Sequence, residues 1–263
     1  MRPSFSRFRG GLRVGADFFD RRGAVVLTEP PPRGMIERLT DLAHPGLDVS
    51  RVHPAVAAFF EDTAGLELLV RSRWHFPFSV AWRLLRPLML ALGQFALPLA
   101  EARIESRVAW LDPAKDGRPG ARGVVRSYVH GGEVMQVIAY APWTRGASSF
   151  LSAAIPLPGG QLAGFLRLDP TGEDDQNRVA VVLTSVSRNA DDAGVWMVLG
   201  PVAFRSPFTE RLALWPPGMK GAPPELDPAV FPGTSLVGEH EQRIFGVRFA
   251  THRYWFRPTR AGG

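Results

Sequence analysis

The chain has 263 residues, 45% of them apolar, with 24 prolines, 27 glycines, no cysteine and a formal net charge of +6. That is enough apolar chain to bury a sizeable core, too much turn-forming residue for a helical bundle, and no thiol for a disulfide, a nucleophile or a Cys-based metal site. Of the 31 basic residues only Lys115 and Lys220 are lysine, and the charge is spread; the one basic group, Arg2, Arg7, Arg9, Arg13, Arg21 and Arg22, is interrupted by Asp17 and Asp20, so nucleic acid is not the expected partner.

Residues 1–34 are rich in Arg, Gly, Phe and Pro, end in Pro30-Pro31-Pro32 and contain one strand-like piece at 24–28; they read as a partly ordered basic arm. No apolar run of seven or more residues follows the first arginines, so a cytoplasmic location is expected, with membrane association as the alternative. Residues 35–263 read as a single α+β domain, mainly helical over 35–100 and mainly antiparallel β over 101–263. A short helix is expected at 35–42. A second starts at Pro54, whose missing N–H has no partner to lose at a first helical position, and it places Val56, Phe59, Phe60 and Thr63 on one face before Gly65 stops it. Residues 66–74 alternate in part and read as a first strand.

Pro77 opens the longest helical pattern. Phe78, Ala81, Trp82, Leu85, Leu88, Met89, Leu92, Phe95, Ala96 and Leu99 recur at spacings of three and four, with Arg83 and Arg86 on the other side, Pro87 as a kink and Pro98 as the end. No residue from 87 to 100 is charged, but 14 residues are too few to cross a hydrocarbon core of about 30 Å. The apolar stripe either packs on the sheet or dips into a lipid surface while Arg71, Arg73, Arg83 and Arg86 meet anionic headgroups.

From there short alternating segments follow one another: 103–111, 123–130, 133–141, 148–155, 162–168, 178–187, 195–199, 208–215 and 243–257. Gly131-Gly132 between two of them reads as a two-residue hairpin loop, because glycine adopts positive φ without a steric penalty. The stretches 172–175 and 189–194 read as polar connections. The fold class expected is α+β: a strongly curved antiparallel sheet or barrel of about eight to ten strands, with the N-terminal helices packed on it or capping it.

Several segments occur in an order that resembles the soluble part of YndJ-like bacterial proteins. They are Ala154-Ile155-Pro156-Leu157-Pro158, Leu162-Ala163-Gly164-Phe165-Leu166-Arg167-Leu168, Leu183-Thr184-Ser185 and Arg243-Ile244-Phe245-Gly246-Val247-Arg248-Phe249, together with Phe204-Arg205-Ser206-Pro207-Phe208-Thr209-Glu210 and the pair His240-Glu241. The resemblance spans roughly residues 53–256. It implies a shared fold and an association with membranes, since some relatives look fused to transmembrane segments, and it carries over no catalytic residue.

The chemistry is less legible. The six histidines show no metal-ligand spacing, and His240 between Glu239 and Glu241 reads as a solvated turn because neighbouring strand residues point to opposite faces. The acidic run Glu173-Asp174-Asp175 lacks the glycine and terminal glutamate of a calcium loop. Ser148, Ser149 and Ser185 have no nucleophile elbow, and there is no dinucleotide or phosphate-binding glycine motif, so neither a metal nor a nucleotide cofactor is expected. What remains is a set of polar and aromatic strand residues suited to line a closed sheet: Arg126, Tyr128 and His130 at spacing two, Tyr140, Arg167, Trp196, and Arg248, His252 and Tyr254 on the last strand. The expected partner is an apolar or lipid-like, amphipathic small molecule inside the curved sheet, closed by the 78–99 helix. The alternatives are a cofactor-independent cyclase or isomerase in the same cavity, with His130 or His252 as acid or base and Arg126 at a developing oxyanion, and a protein that lies on an anionic membrane surface through residues 71–99.

Overall fold

Alternation of apolar and polar residues is realised as thirteen strands in the computed structural model, which describes residues 4–187 and 193–259. They are β1 (Val25–Val26), β2 (Leu66–Trp74), β3 (Glu101–Leu111), β4 (Arg122–Tyr128), β5 (Val134–Arg145), β6 (Ser148–Leu157), β7 (Gly160–Glu173), β8 (Val179–Thr184), β9 (Gly194–Leu199), β10 (Val202–Arg205), β11 (Phe208–Trp215), β12 (Leu236–Ile244) and β13 (Val247–Pro258). Three α-helices accompany them: α1 (Pro54–Glu61), α2 (Phe78–Leu92) and the single turn α3 (Pro113–Asp116).

Ten strands close on themselves in the order β7-β6-β5-β4-β3-β2-β13-β12-β11-β8, and β8 returns to β7, every pairing being antiparallel. Closure removes the free sheet edges that would otherwise template aggregation. The return is made possible by the length of β7. Its residues 160–165 pair with β9 and its residues 167–173 with β8, so one edge serves two strands. β9 and β10 therefore leave the wall as a hairpin, and β1 adds to β3. Where β8 ends, Ser185 N–H donates to the Glu210 carbonyl and Glu210 N–H donates to the Ser185 hydroxyl, which ties the seam to β11.

The protein is thus mostly β, and the first strand expected at 66–74 and the nine expected over 103–257 each have a counterpart. The last one is two: residues 243–257 are split by a two-residue turn at Phe245 and Gly246, with φ of 50° and 76°, that joins β12 to β13. The Gly131-Gly132 loop is longer than expected. Both glycines hold positive φ, but Tyr128 N–H donates to the Glu133 carbonyl and closes residues 129–132 as a four-residue connection. The connection expected over 189–194 lies largely outside the described residues.

The helical region differs more. Residues 35–100 include β2, and residues 35–60 stop one end of the barrel; of the 78–99 stretch expected as the cap, only the residues just past the helix, Phe95 and Leu97, close the cavity at the other end. Met35, Ile36, Leu39, Leu42, Val56, Phe59 and Phe60 are buried with the inward residues of the strands, and Phe59 meets Phe256 edge-on. His53 and Pro54 start α1 as the sequence anticipates: the His53 Nδ1 accepts from Ala55 N–H. α2 lies across the other end and has no buried residue; Trp82 stacks on Trp74 at 4.4 Å, and only that side of the helix is covered.

The outer wall is also apolar. Residues 4–34, expected as a partly ordered arm, lie on β3 to β6 with Phe8, Val14, Phe18 and Phe19 buried against Leu111, Val125, Val137 and Ala154. The three phenylalanines pack edge-to-face on one another, and this apolar content is why the segment adheres despite its arginines. A buried ion pair pins it. Arg118 donates to both Asp116 carboxylate oxygens at 2.7 and 3.0 Å, and the Ser6 hydroxyl donates to the same carboxylate at 2.7 Å. On the far side Met219, Leu226 and Phe231 cover Trp215, Val237 and Trp255.

Candidate functional site

A side-chain period of two sends Phe208, Glu210 and Leu212 of β11, His240 and Gln242 of β12, and His252, Tyr254 and Phe256 of β13 to the inside of the wall, where they meet Arg126 of β4 and Gln136, Ile138 and Tyr140 of β5. Together they line a cavity of about 100 Å³. Leu68, Leu151, Leu166 and Leu183 complete its sides, Met35 and Phe59 its floor, and Phe95 and Leu97, just past α2, its other end. Gln94 holds that roof in place: its amide donates to the Val137 and Pro156 carbonyls and its carbonyl accepts from Val137 N–H. The volume is below the roughly 150 Å³ that accepts a benzene ring and well below a drug-sized pocket, so a whole lipid has no room in it as it stands.

The polar lining is one connected group. His240 stands opposite both Leu212 and His252 in the register, and its Nε2–H donates to Glu210 Oε2 at 3.0 Å. Its Nδ1 lies 3.4 Å from the Tyr254 hydroxyl, so a proton path runs Tyr254–His240–Glu210. Tyr254 stands across from Gly238, whose missing side chain leaves space that a Cβ, 2.9 Å from Leu214 Cδ2, would take. Burial pushes the Tyr254 and Tyr140 hydroxyls well above the usual phenol range and keeps both as neutral donors. The positive charge of Arg126 opposes the burial effect on both phenols. Its Nε is buried and has no hydrogen-bond partner among the described residues. A charged donor without an acceptor in an apolar wall is costly, and an acceptor brought by a guest would satisfy it.

His252 has a different character. It is fully buried, and burial together with the nearby His240 charge lowers its pKa to about 3. The neutral ring accepts from the Ser72 hydroxyl at Nδ1, 2.8 Å away, and donates from Nε2 to Gln242 Oε1 at 3.3 Å. Both nitrogens are occupied, which makes it a poor acid or base and a fixed wall element.

Of the residues singled out in the sequence, Arg126, Tyr140, His252 and Tyr254 line the cavity. The others do not. Tyr128 is buried beyond it and donates to the Ala96 carbonyl, and His130 is exposed in the turn after β4. Arg167 points away from the interior, because Leu166 takes the inward position, and pairs with Asp169 at 2.8 Å. Trp196 is on β9, off the barrel, against Phe5. Arg248 shares its strand parity with His252 but not its side of the wall: a bulge opposite Gln242 and Arg243 inserts Phe249 as an extra residue, and Arg248 turns outward to Glu241.

Two residues were missed, Glu210 and His240. A carboxylate between Phe208 and Leu212 at spacing two is the signal that was available, since it sits in the middle of an apolar face. His240 was read as part of a solvated turn; it is instead in the middle of β12, and only Glu239 and Glu241 face outward. No group of three potential metal ligands occurs among the described residues. No family model matches the chain, and neither does any curated protein or solved structure.

Proposed function

We propose that the barrel binds a small, mainly apolar molecule by its carboxylate or carbonyl end, which Arg126 receives while the leucines and phenylalanines of the wall enclose the rest. The observation that carries this reading is the buried, partnerless Nε of Arg126, a residue that lines a cavity whose other polar groups lie together on β5, β11, β12 and β13 while leucines and phenylalanines form the rest of its surface. Two neutral phenols beside it, Tyr140 and Tyr254, add donors for the same oxygen. The resemblance to YndJ-like proteins belongs to this proposal as a shared fold and assigns no role to any residue.

Thermal unfolding with isobutyrate, isovalerate and their amides and alcohols tests it. A ligand present at 100 times its Kd stabilises by about 2.7 kcal/mol. Carboxylates are expected to raise the Tm more than the matching alcohols, and Arg126→Gln to abolish the difference. A carboxylate preference that survives in the variant, or no shift with any of these compounds, would remove the proposal.

The Tyr254–His240–Glu210 path supports a second reading, in which the same cavity performs cofactor-independent proton transfer such as isomerisation. Arg126 then holds the developing enolate oxygen and the His240–Glu210 pair takes the carbon-bound proton. His240 replaces His130 and His252 as the expected base. Deuterium uptake next to the carbonyl of a bound small ketone, followed by NMR in heavy water, decides it: Glu210→Gln should lose the uptake yet keep the thermal shift, and uptake no faster than in buffer ends this reading.

A further inference from the structure

We propose that α2 and the turn between β12 and β13 dock the protein on a bilayer surface that contains anionic lipid. This surface is independent of the cavity proposal, since none of its residues lines the cavity.

α2 is apolar on two sides and covered on one. Phe78 and Trp82 rest on Phe249 and Trp74, and Arg86 donates to the Leu97 carbonyl. On the opposite side Val80, Leu84 and Leu88 succeed one another at spacing four, with Leu85 beside them, all exposed and Leu84 by 76%. Phe76, 84% exposed, stands just before the helix. The β12–β13 hairpin reaches the same end, because the Phe249 carbonyl accepts from His75 N–H and its ring packs on Phe78. At its tip Phe245 is 80% exposed at positive φ, and Val247 is exposed too. A bulky ring held in water on a backbone conformation that suits glycine is unfavourable twice, and exposed large apolar side chains gathered at one end of the barrel mark an interaction surface.

Charge identifies the partner. Residues 76–100 contain no acidic side chain, and their only charges are Arg83 and Arg86. Beside these apolar side chains lies a surface groove of about 260 Å³ lined by Arg71, Arg73, His75, Arg248 and Arg253, with Glu239 as its one carboxylate. Arg71, Arg248 and Arg253 have ion-pair partners, whereas Arg73 and Arg83 have none among the described residues. An apolar surface edged by cations fits an interface of acyl chains under anionic headgroups. At 15 residues α2 spans about 22 Å, so it lies on such a surface rather than across it, and no helix among the described residues is long and apolar enough to cross a membrane.

Co-sedimentation of the full chain with vesicles of phosphatidylcholine, alone or mixed with phosphatidylserine, tests the proposal. Pelleting is expected with the mixed vesicles and should weaken as salt is added. Leu84→Glu with Leu88→Glu should abolish it, and Arg73→Gln with Arg83→Gln should reduce it about 25-fold, about fivefold for each arginine. Each substituted side chain is exposed, and matching thermal melts of the variants verify the fold. Absence of pelleting by the unsubstituted chain at low salt would overturn the proposal. So would pelleting of the glutamate variant at the original level, or a concentration-dependent dimer that the same variant dissolves without any vesicle binding.

Discussion

Burial holds His252 as a neutral ring between Ser72 and Gln242, and this has a pH consequence with a definite sign. The folded state resists protonating it until about pH 3, whereas in the unfolded chain it titrates near 6.5. Between those values the unfolded state binds the extra proton, so the contribution is fully present above pH 6.5 and is lost as pH falls, at up to about 1.4 kcal/mol per pH unit. Urea unfolding between pH 7 and 4.5 should show that slope, and His252→Gln should flatten it; an unchanged slope in the variant would assign the acid sensitivity to other groups, such as His53 and His75, whose pKa values burial also lowers. Asp116 presents the opposite case, a charge that is buried and fully paired. Replacing it by Ala leaves Arg118 uncompensated and should cost about 3–5 kcal/mol in the same assay. A loss below 1 kcal/mol would mean that the N-terminal segment is not held by this pair. At this scale the sequence is readable only as parity. Arg126, Tyr140, His252 and Tyr254 follow from a period of two, and Arg248 fails because one bulged residue, Phe249, shifts the parity where no local signal announces it.

Among the elements, the two main helices have similar apolar patterns and opposite fates. Phe59 and Phe60 of α1 are buried within the barrel end, whereas Leu84 and Leu88 of α2 face water. Phe59→Ala should therefore destabilise by about 3–5 kcal/mol and Leu84→Ala by no more than about 0.5 kcal/mol in denaturant titrations. A comparable loss at both positions would show that α2 is packed after all. Periodicity establishes that a face is apolar and says nothing about what covers it, which is why the 78–99 helix was read as the cap. Strand limits were lost for related reasons. β7 runs on past residue 168 because Asp169-Pro170-Thr171 keep pairing with β8 across a bulge, although a proline argues against a strand. The 236–242 part of β12 is hidden by Gly238, Glu239 and Glu241, residues that disfavour strands; here Gly238 leaves room for Leu214 and the two glutamates face outward.

The molecule as a whole is a wall that is apolar on both faces, inside around the cavity and outside beneath the 4–34 and 216–235 segments. Strands buried on both sides read as continuous apolar runs, as in β8, where all six residues are buried. This is why curvature and strand number were legible while the inward face, and with it the site, was not. The same construction makes the cavity separable from stability: a wall supported from outside does not depend on the last 100 Å³ within. Ala153 lines that space, and Ala153→Leu places three more carbons in it. The substitution should leave the unfolding free energy within about 1 kcal/mol, since filling a void and crowding its rim oppose each other. It should also abolish the isovalerate-induced rise in Tm and leave vesicle binding through α2 unchanged. A ligand shift that survives the filling would move the binding site out of the barrel, and a large loss of stability would mean that the space is structurally required rather than reserved for a guest.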